Sequence, residues 1–470
     1  MSAITRRSFL KATGAGAVAA GLATVTPFRV WGQGQLSLLM WSHFVPRHDE
    51  WFDNEYVPAW GEENGVDVTV DHINVGDVPS TIASEISAGS GHDIQEYIAP
   101  LPQHEPSVHD LSDVIDELEN RHGPMLDLTK KASVNPFTGK AFAFSHGFVI
   151  DPINYRQSLW EAVDKPEGPR TWQDLLEFGA RIFEQEGVPV GIGLSQEIDT
   201  NMATRAALWS FDSSVQDENT NVVLDNERTR EAVNHYAEIF KQAMTPAVFT
   251  WGAASNNEAL ISGRANAILN SISAYRSAQK DVPEIARDIA FGPALKGPRG
   301  TQLASEHVLY NTLVPSYVPS DRLELAKQFL IDLEENYDQR MWNSELYDTF
   351  AFNQVPVPEG DRGYPKPEGA KTVQDLFDTW FAKDPFALEG ERTDKLQPLT
   401  SALDWSVWQG YPGPANPAAG EVFNTAVLPD MFAKVAQGIA SVDKAVQEAQ
   451  ARAEEIYAGW AEQGLIPPRS

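Results

Sequence analysis

Residues 36–40 form a short apolar run bounded by polar positions, the pattern of a strand buried on both faces. Over residues 47–64 the aromatic side chains Trp51, Phe52, Tyr56 and Trp60 recur at near-helical spacing, and Pro58 is expected to interrupt that helix. Val66, Val68 and Val70 then alternate with Asp67, Thr69 and Asp71, a strand period. Asp77 is placed to cap a helix with Pro79 in its first turn, Ile82 and Ile86 on one face, and Gly89 as its stop. Residues 94–98 add another strand. This strand–helix alternation predicts a doubly wound α/β lobe with a largely parallel sheet.

A second series begins after residues 141–144. Thr171 with Asp174 makes a capping-box pattern, opening a helix with Leu175, Leu176, Ile182 and Phe183 inward and Gly187 as its stop. Residues 188–194 are expected as a strand, 226–242 as a helix, and 265–269 as a buried strand, which makes a second α/β lobe. Asp321 with Glu324 predicts a further capped helix carrying Leu325, Phe329, Leu330 and Leu333. The strongest helix is 441–463, with Val442, Ala445, Val446, Ala449, Ala453, Ile456 and Trp460 as its apolar stripe.

Ahead of both lobes, Arg6 and Arg7 precede Phe9, Leu10 and Lys11, then a Gly/Ala-rich run over 12–25 without acidic residues. That order reads as an export signal, and the arginine pair specifies the twin-arginine route. Residues 1–33 are expected to be removed, with cleavage near Trp31-Gly32-Gln33. The run is too short and too weakly apolar to remain as a membrane anchor. The chain has no cysteine, which excludes disulfides, thiol catalysis and a lipidated cysteine anchor, so a free periplasmic protein is expected. With 36 Lys+Arg against 66 Asp+Glu the net charge is −30, which opposes binding to nucleic-acid phosphates.

Five segments in order resemble one family. They are Ala88-Gly89-Ser90-Gly91-His92-Asp93-Ile94; Asn154-Tyr155-Arg156 followed by Pro169-Arg170-Thr171-Trp172; and Ala259-Leu260-Ile261-Ser262-Gly263-Arg264-Ala265. Leu325-Ala326-Lys327-Gln328-Phe329-Leu330 and the Gly438…Ser441…Ala445 helix complete the set. The chain resembles the family 1 extracellular solute-binding proteins, whose best-known relative binds maltose, although His92 stands where that family usually has Pro. The resemblance implies two doubly wound α/β lobes joined by a hinge. Residues 34–147 and 297–350 would form lobe 1, and 148–296 and 351–470 lobe 2. It further implies a non-enzymatic monomer without a cofactor, which would capture a sugar-like solute in the interlobe cleft and deliver it to the membrane permease of an ABC importer.

Ligands of doubly wound sheets bind beyond the carboxyl ends of strands, where loops diverge. That rule selects Trp41, His43 and Phe44 after the first strand, Tyr97 after the third, and His146 at the first crossover. In the second lobe it selects Gln196, Glu197 and Asn201 after one strand, and Asn270, Ser271 and Ser273 after another. Glu306 and His307 follow a Gly-rich bend; Trp408 and Tyr411 precede Pro412-Gly413-Pro414, a region where the family commonly places a stacking aromatic. A sugar offers an apolar ring face and a belt of hydroxyls, so a site needs aromatic surface plus hydrogen-bonding side chains, and these loops supply both. Neutral mono- or oligosaccharides are expected first, ahead of sugar alcohols, glycosides and acidic derivatives.

His43, His48, Asp49 and Glu50 match no zinc spacing, and Pro46 breaks a shared helix face. Residues 217–225 imitate a calcium loop but carry Val222 where glycine is required, so a hairpin into the next helix is expected. No nucleophile elbow, phosphate loop or dinucleotide fingerprint occurs. A secreted glycoside hydrolase working through a carboxylate pair is the alternative reading.

Overall fold

The first apolar run forms β1 (Gly34–Trp41), and its alternate side chains feed two different cores. Leu36, Leu38 and Met40 join one cluster with Trp51, Phe52 and Phe329, whereas Leu39 and Trp41 join the larger cluster that reaches the second lobe. This is the two-residue period of a strand buried on both faces. The structure, a computed structural model, describes residues 34–305, 307–356, 363–364 and 367–467. The expected signal peptide and Glu306 lie outside them.

The first lobe is built on β1, β2 (Val66–Ile73), β3 (Ile94–Tyr97) and β10 (Asn311–Leu313), in the order β10-β3-β1-β2. β2 and β3 run parallel to β1, and β10 is antiparallel to β3. In the second lobe β5 (Ile153–Arg156) lies between β6 (Ala267–Leu269) and β7 (Ile289–Gly292), antiparallel to both. The strand expected over 188–194 reduces to one bridge, Val190 with Ala267. Gly191 explains this: a Cβ there would meet Ala265 at 2.7 Å, so the segment passes close to its neighbour without a ladder of side chains.

Three strands connect the lobes. β4 (Gly147–Val149) pairs antiparallel with both β9 (Val308–Leu309) and β11 (Thr349–Phe350). Beside them β8 (Ala304–Ser305) pairs with β12 (Ser406–Val407). The Gly297–Gln302 turn packs on the second lobe: Arg299 Nε lies 2.5 Å from Asp212 Oδ2 and Nη1 2.8 Å from Glu231 Oε2. Ala351 and Phe352 stay with the first, where the Ala351 carbonyl accepts from Leu126 N at 2.8 Å and Phe352 bridges Met125.

Local chemistry accounts for most helix boundaries. Thr171 and Asp174 form the expected capping box on Trp172–Glu186, and Gly187 ends that helix at φ 71°, a left-handed conformation suited to glycine. Asn226 and Ser441 cap Glu227–Ala243 and Val442–Glu462 with their side chains. Three expectations change. Pro58 does not break its helix, because the π-turn Phe52–Tyr56 separates Pro46–Trp51 from Val57–Asn64 and places the proline in the first turn of the latter. Asp77 sits at the N-cap of Val78–Ala88 in an αR conformation that makes no side-chain cap bond. The helix Ser320–Glu335 starts one residue before Asp321, with Pro319 at its N-cap, so Asp321 acts only as an acid in the first turn.

Removing the Thr171 hydroxyl deletes the bond to Asp174 N. Thr171→Ala is expected to lower unfolding stability by about 1 kcal/mol, and Thr171→Ser to restore most of it, measured by urea denaturation. Equal stabilities for all three proteins would contradict the capping account.

Candidate functional site

A cleft of about 740 Å³ lies between the lobes. Its first wall is the turn after β2, with Asn74, Val75 and Gly76, the first turn of the helix Val78–Ala88, with Pro79 and Ser80, and Tyr97 at the end of β3. Its second wall is Gln196, Glu197, Ile198 and Asn201 at the start of the helix Ile198–Ser210, with Ala253 and residues 423–426. Four sequence-selected residues therefore meet here: Tyr97, Gln196, Glu197 and Asn201. Residues 74–76 follow the same strand-end rule, applied to β2. Phe423, at the end of the helix Pro417–Asn424, had no comparable signal, since the Pro/Gly-rich stretch before it obscures the helix.

Glu197 owes its place to the helix it caps. Its Oε1 accepts from Thr200 N at 2.5 Å and from the Thr200 hydroxyl, and its Oε2 accepts from Asp199 N at 2.7 Å. Asn201 Nδ2 donates to the Glu197 carbonyl at 3.3 Å, which fixes the amide orientation and leaves Oδ1 without a hydrogen-bond partner. Gln196 is exposed and donates to Asp430 Oδ1 at 2.8 Å.

Behind this wall lies a buried polar layer. His307 Nδ1 is 3.3 Å from Asp151 Oδ1, an ion-pair distance, although neither atom makes a well-directed hydrogen bond. Asn256 Nδ2 donates to Asp199 Oδ2 at 2.7 Å. Asn270, Ser271 and Ser273 are buried and bond among themselves and to Asn257. Burial, reinforced by the Glu197 charge, holds the Asp199 carboxyl well above its usual range; burial also raises Glu197. Burial opposes charge on His307, but Asp151, Asp199 and Glu197 outweigh it and raise its pKa.

The remaining sequence-selected residues are packed away from the cleft lining. Trp41 is 1% exposed, with His43, Phe44 and Tyr310 rings at 4.8, 5.0 and 6.5 Å. His43 Nε2 lies 3.3 Å from Asp348 Oδ1, and His146 Nε2 lies 2.6 Å from Glu96 Oε2. Arg340 joins both carboxylates, at 3.2 Å from Asp348 and 3.3 Å from Glu96. Trp408 donates to the Gly413 carbonyl at 2.7 Å, and Lys131 of the first lobe sits 4.4 Å over its ring. Tyr411 lies edge-on to Trp408 and Trp209.

Two clusters invite a metal reading. His43, His48 and Asp348 bring one ligand atom each within 4.8 Å of one another. The two imidazoles, however, stack at 4.2 Å and 22°, so an ion in the plane of one ring lies out of the plane of the other, and Arg340 already pairs with Asp348. The calcium-like segment forms a turn closed by the Gln216–Val222 bridge, in which the Asp217 carboxylate accepts from the backbone of Asn219 and Asn221.

Burial, with the nearby His43 and Arg340 charges, lowers the His48 pKa to about 4. Burial alone would raise Asp348 and Glu96, but His43 with Arg340, and Arg340 with His146, hold them well below the usual range. A lowered histidine contributes stability that is complete above its unfolded value and lost as pH falls toward the folded one. Between pH 7 and 5, His48→Phe is therefore expected to lose about 2 kcal/mol less stability than the parent protein, measured by urea unfolding at each pH. Identical pH profiles would contradict a neutral buried His48.

The chain matches the family model described as bacterial extracellular solute-binding protein over residues 55–332. No curated protein matches it in sequence. Its fold is similar to that of maltose-bound MalE3 of T. maritima, with a TM-score of 0.70 at 17% identity, covering 90% of this chain and 99% of that one. It is also similar to a sugar transporter of Arthrobacter chlorophenolicus A6 with bound laminaribiose, with a TM-score of 0.69 at 15% identity over 90% and 99% of the two chains. A third likeness is a putative oligosaccharide periplasmic-binding protein from Synechococcus sp. MITs9220, in complex with zinc, with a TM-score of 0.73 at 15% identity over 90% and 100%. With two hinged α/β lobes around a polar cleft and a family match over more than half its length, the chain belongs to the bacterial extracellular solute-binding proteins.

Proposed function

We propose that the protein captures a carbohydrate or sugar-like solute in the interlobe cleft and delivers it to the membrane permease of an ABC importer. The observation that carries this reading is the composition of the cleft walls. Tyr97 from one lobe and Phe423 from the other supply aromatic surface, and Asn74, Gln196, Asn201, Asn424 and Thr425 supply hydrogen-bonding groups. The sugar-bound structures of similar fold, carrying maltose, laminaribiose or tagatose, support it. We also propose export by the twin-arginine route and action as a free periplasmic monomer. Lobe motion would occur about β4, β9 and β11, with chain crossings near residues 147, 304 and 352. A glycoside hydrolase needs two carboxyl groups flanking the bond it cleaves, and Glu197 is the one carboxylate among the described residues lining the cleft.

Thermal unfolding across a panel of maltose, laminaribiose, tagatose and ribitol tests the reading. A ligand at 100 times its dissociation constant should stabilise the protein by about 2.7 kcal/mol. Phe423→Ala should then weaken binding by roughly 5- to 150-fold, the loss of about 1–3 kcal/mol of buried contact. Trp41→Ala should instead cost about 3–5 kcal/mol of stability while leaving the affinity of the folded protein unchanged. Stabilisation by no carbohydrate would overturn the assignment, and normal affinity in Phe423→Ala would move the site elsewhere.

A further inference from the structure

Accepting the cleft as the saccharide site, its charge and hydrogen-bonding pattern narrow the ligand class. Glu197 is the only charged side chain among the described residues that line it. Its Oε1 is filled by the Thr200 amide and hydroxyl, whereas Oε2 accepts only from Asp199 N, leaving capacity for one more donor. Beside it, Asn201 is 5% exposed, and its Oδ1 is a buried acceptor with no partner. The amide nitrogen gives one of its two hydrogens to the Glu197 carbonyl, which leaves Oδ1 as the acceptor without a partner. Glu197 Oε2 at the cleft, with the buried Asn201 Oδ1 beside it, thus has acceptor capacity that an acceptor-rich ligand would leave unsatisfied.

The layer behind reinforces that bias. Asp151 is buried and Asp199 partly buried there with His307 as their cationic neighbour, so three carboxyl groups, Glu197 included, share one imidazole. Burial raises the Glu197 and Asp199 carboxyls, and the Glu197 charge adds to the rise at Asp199. Arg205 lies along the same helix, but its guanidinium stacks on Phe423, 4.4 Å from the ring centre, and does not line the cleft. At long range the net charge of −30 attracts cations and repels acidic sugars.

We propose that the ligand carries a protonated amine, as an amino sugar or an oligosaccharide of amino sugars, with the ammonium seated on Glu197 Oε2 beside Asn201. The charge-assisted bond to the carboxylate supplies the discrimination, and the hydroxyls and ring faces use the groups already described.

The test is calorimetric titration of the exported protein at mildly acidic pH with three β-1,4 disaccharides: glucosamine disaccharide, its N-acetylated form, and cellobiose. The diamine should bind at least about tenfold more tightly than the other two, and added salt should weaken the diamine alone. Glu197→Gln keeps side-chain length and an acceptor for the helix cap, and should reduce the preference to within about twofold. Asn201→Asp adds a second carboxylate and should enlarge it, an outcome that does not depend on Glu197→Gln folding. Equal affinity for cellobiose and the diamine, or an unchanged preference in both variants, would overturn the inference while leaving saccharide binding intact. Binding of maltose with none of the three disaccharides would overturn it as well. Failure of every saccharide to bind would overturn both readings.

Discussion

One buried guanidinium organises the region where the lobes join. Arg340 has no solvent exposure, so its charge must be compensated by buried partners. They come from each crossing strand: His146, which bonds Glu96, immediately precedes β4; Tyr310, whose ring lies 4.5 Å from the guanidinium, follows β9; and Asp348 precedes β11. Glu96 belongs to β3, so the same charge also anchors the hinge to the first sheet. Removing one member of such a set strands the others in a low-dielectric interior, at a cost of about 3–5 kcal/mol. Hinge position is therefore fixed electrostatically, while β4, β9 and β11 remain only two or three residues long.

The cleft inherits its character from the opposite arrangement on the second lobe. Around Arg340 the carboxylates are matched by positive charge and stay ionised. Around His307 the carboxyls outnumber it, and burial raises Asp199 and Glu197. The two groups have opposite pH signs. Asp348, Glu96 and His48 stabilise the fold above their unfolded pKa values and lose that contribution as pH falls; Asp199, Glu197 and His307 stabilise it at low pH and lose that contribution as pH rises. Glu96 and Asp348 on the hinge side are thus matched by positive charge, whereas Glu197 on the cleft side is not.

Much of the architecture was legible in local chemistry. The two-residue period of β1 and β2, the Thr171–Asp174 box and the stripe of Val442–Glu462 each act within a few residues, so sequence alone exposes them. Tyr97 was legible by the strand-end rule, as the end of β3, whereas Gln196, Glu197 and Asn201 reach the cleft from the start of the helix Ile198–Ser210, after a segment that makes one bridge in place of the expected strand. Trp41, His43 and His146 obey the same rule yet point into the Arg340 network. That difference depends on Asp348 and Glu96, which are 305 and 50 residues distant in sequence from their histidine partners. Phe423 was hidden for a related reason: its place is set by a helix that docks across the cleft from residues 74–80, and no spacing in the chain records that docking.

The central claim is that one solute is gripped by both lobes in this cleft. Hydrogen–deuterium exchange, compared with and without a saturating saccharide, tests it most directly. The account predicts simultaneous protection of residues 74–80 and 97–103 in the first lobe and 196–201 and 423–426 in the second. Protection confined to one lobe, or centred on the separate concavity lined by Thr171, Glu231 and Lys296, would contradict it.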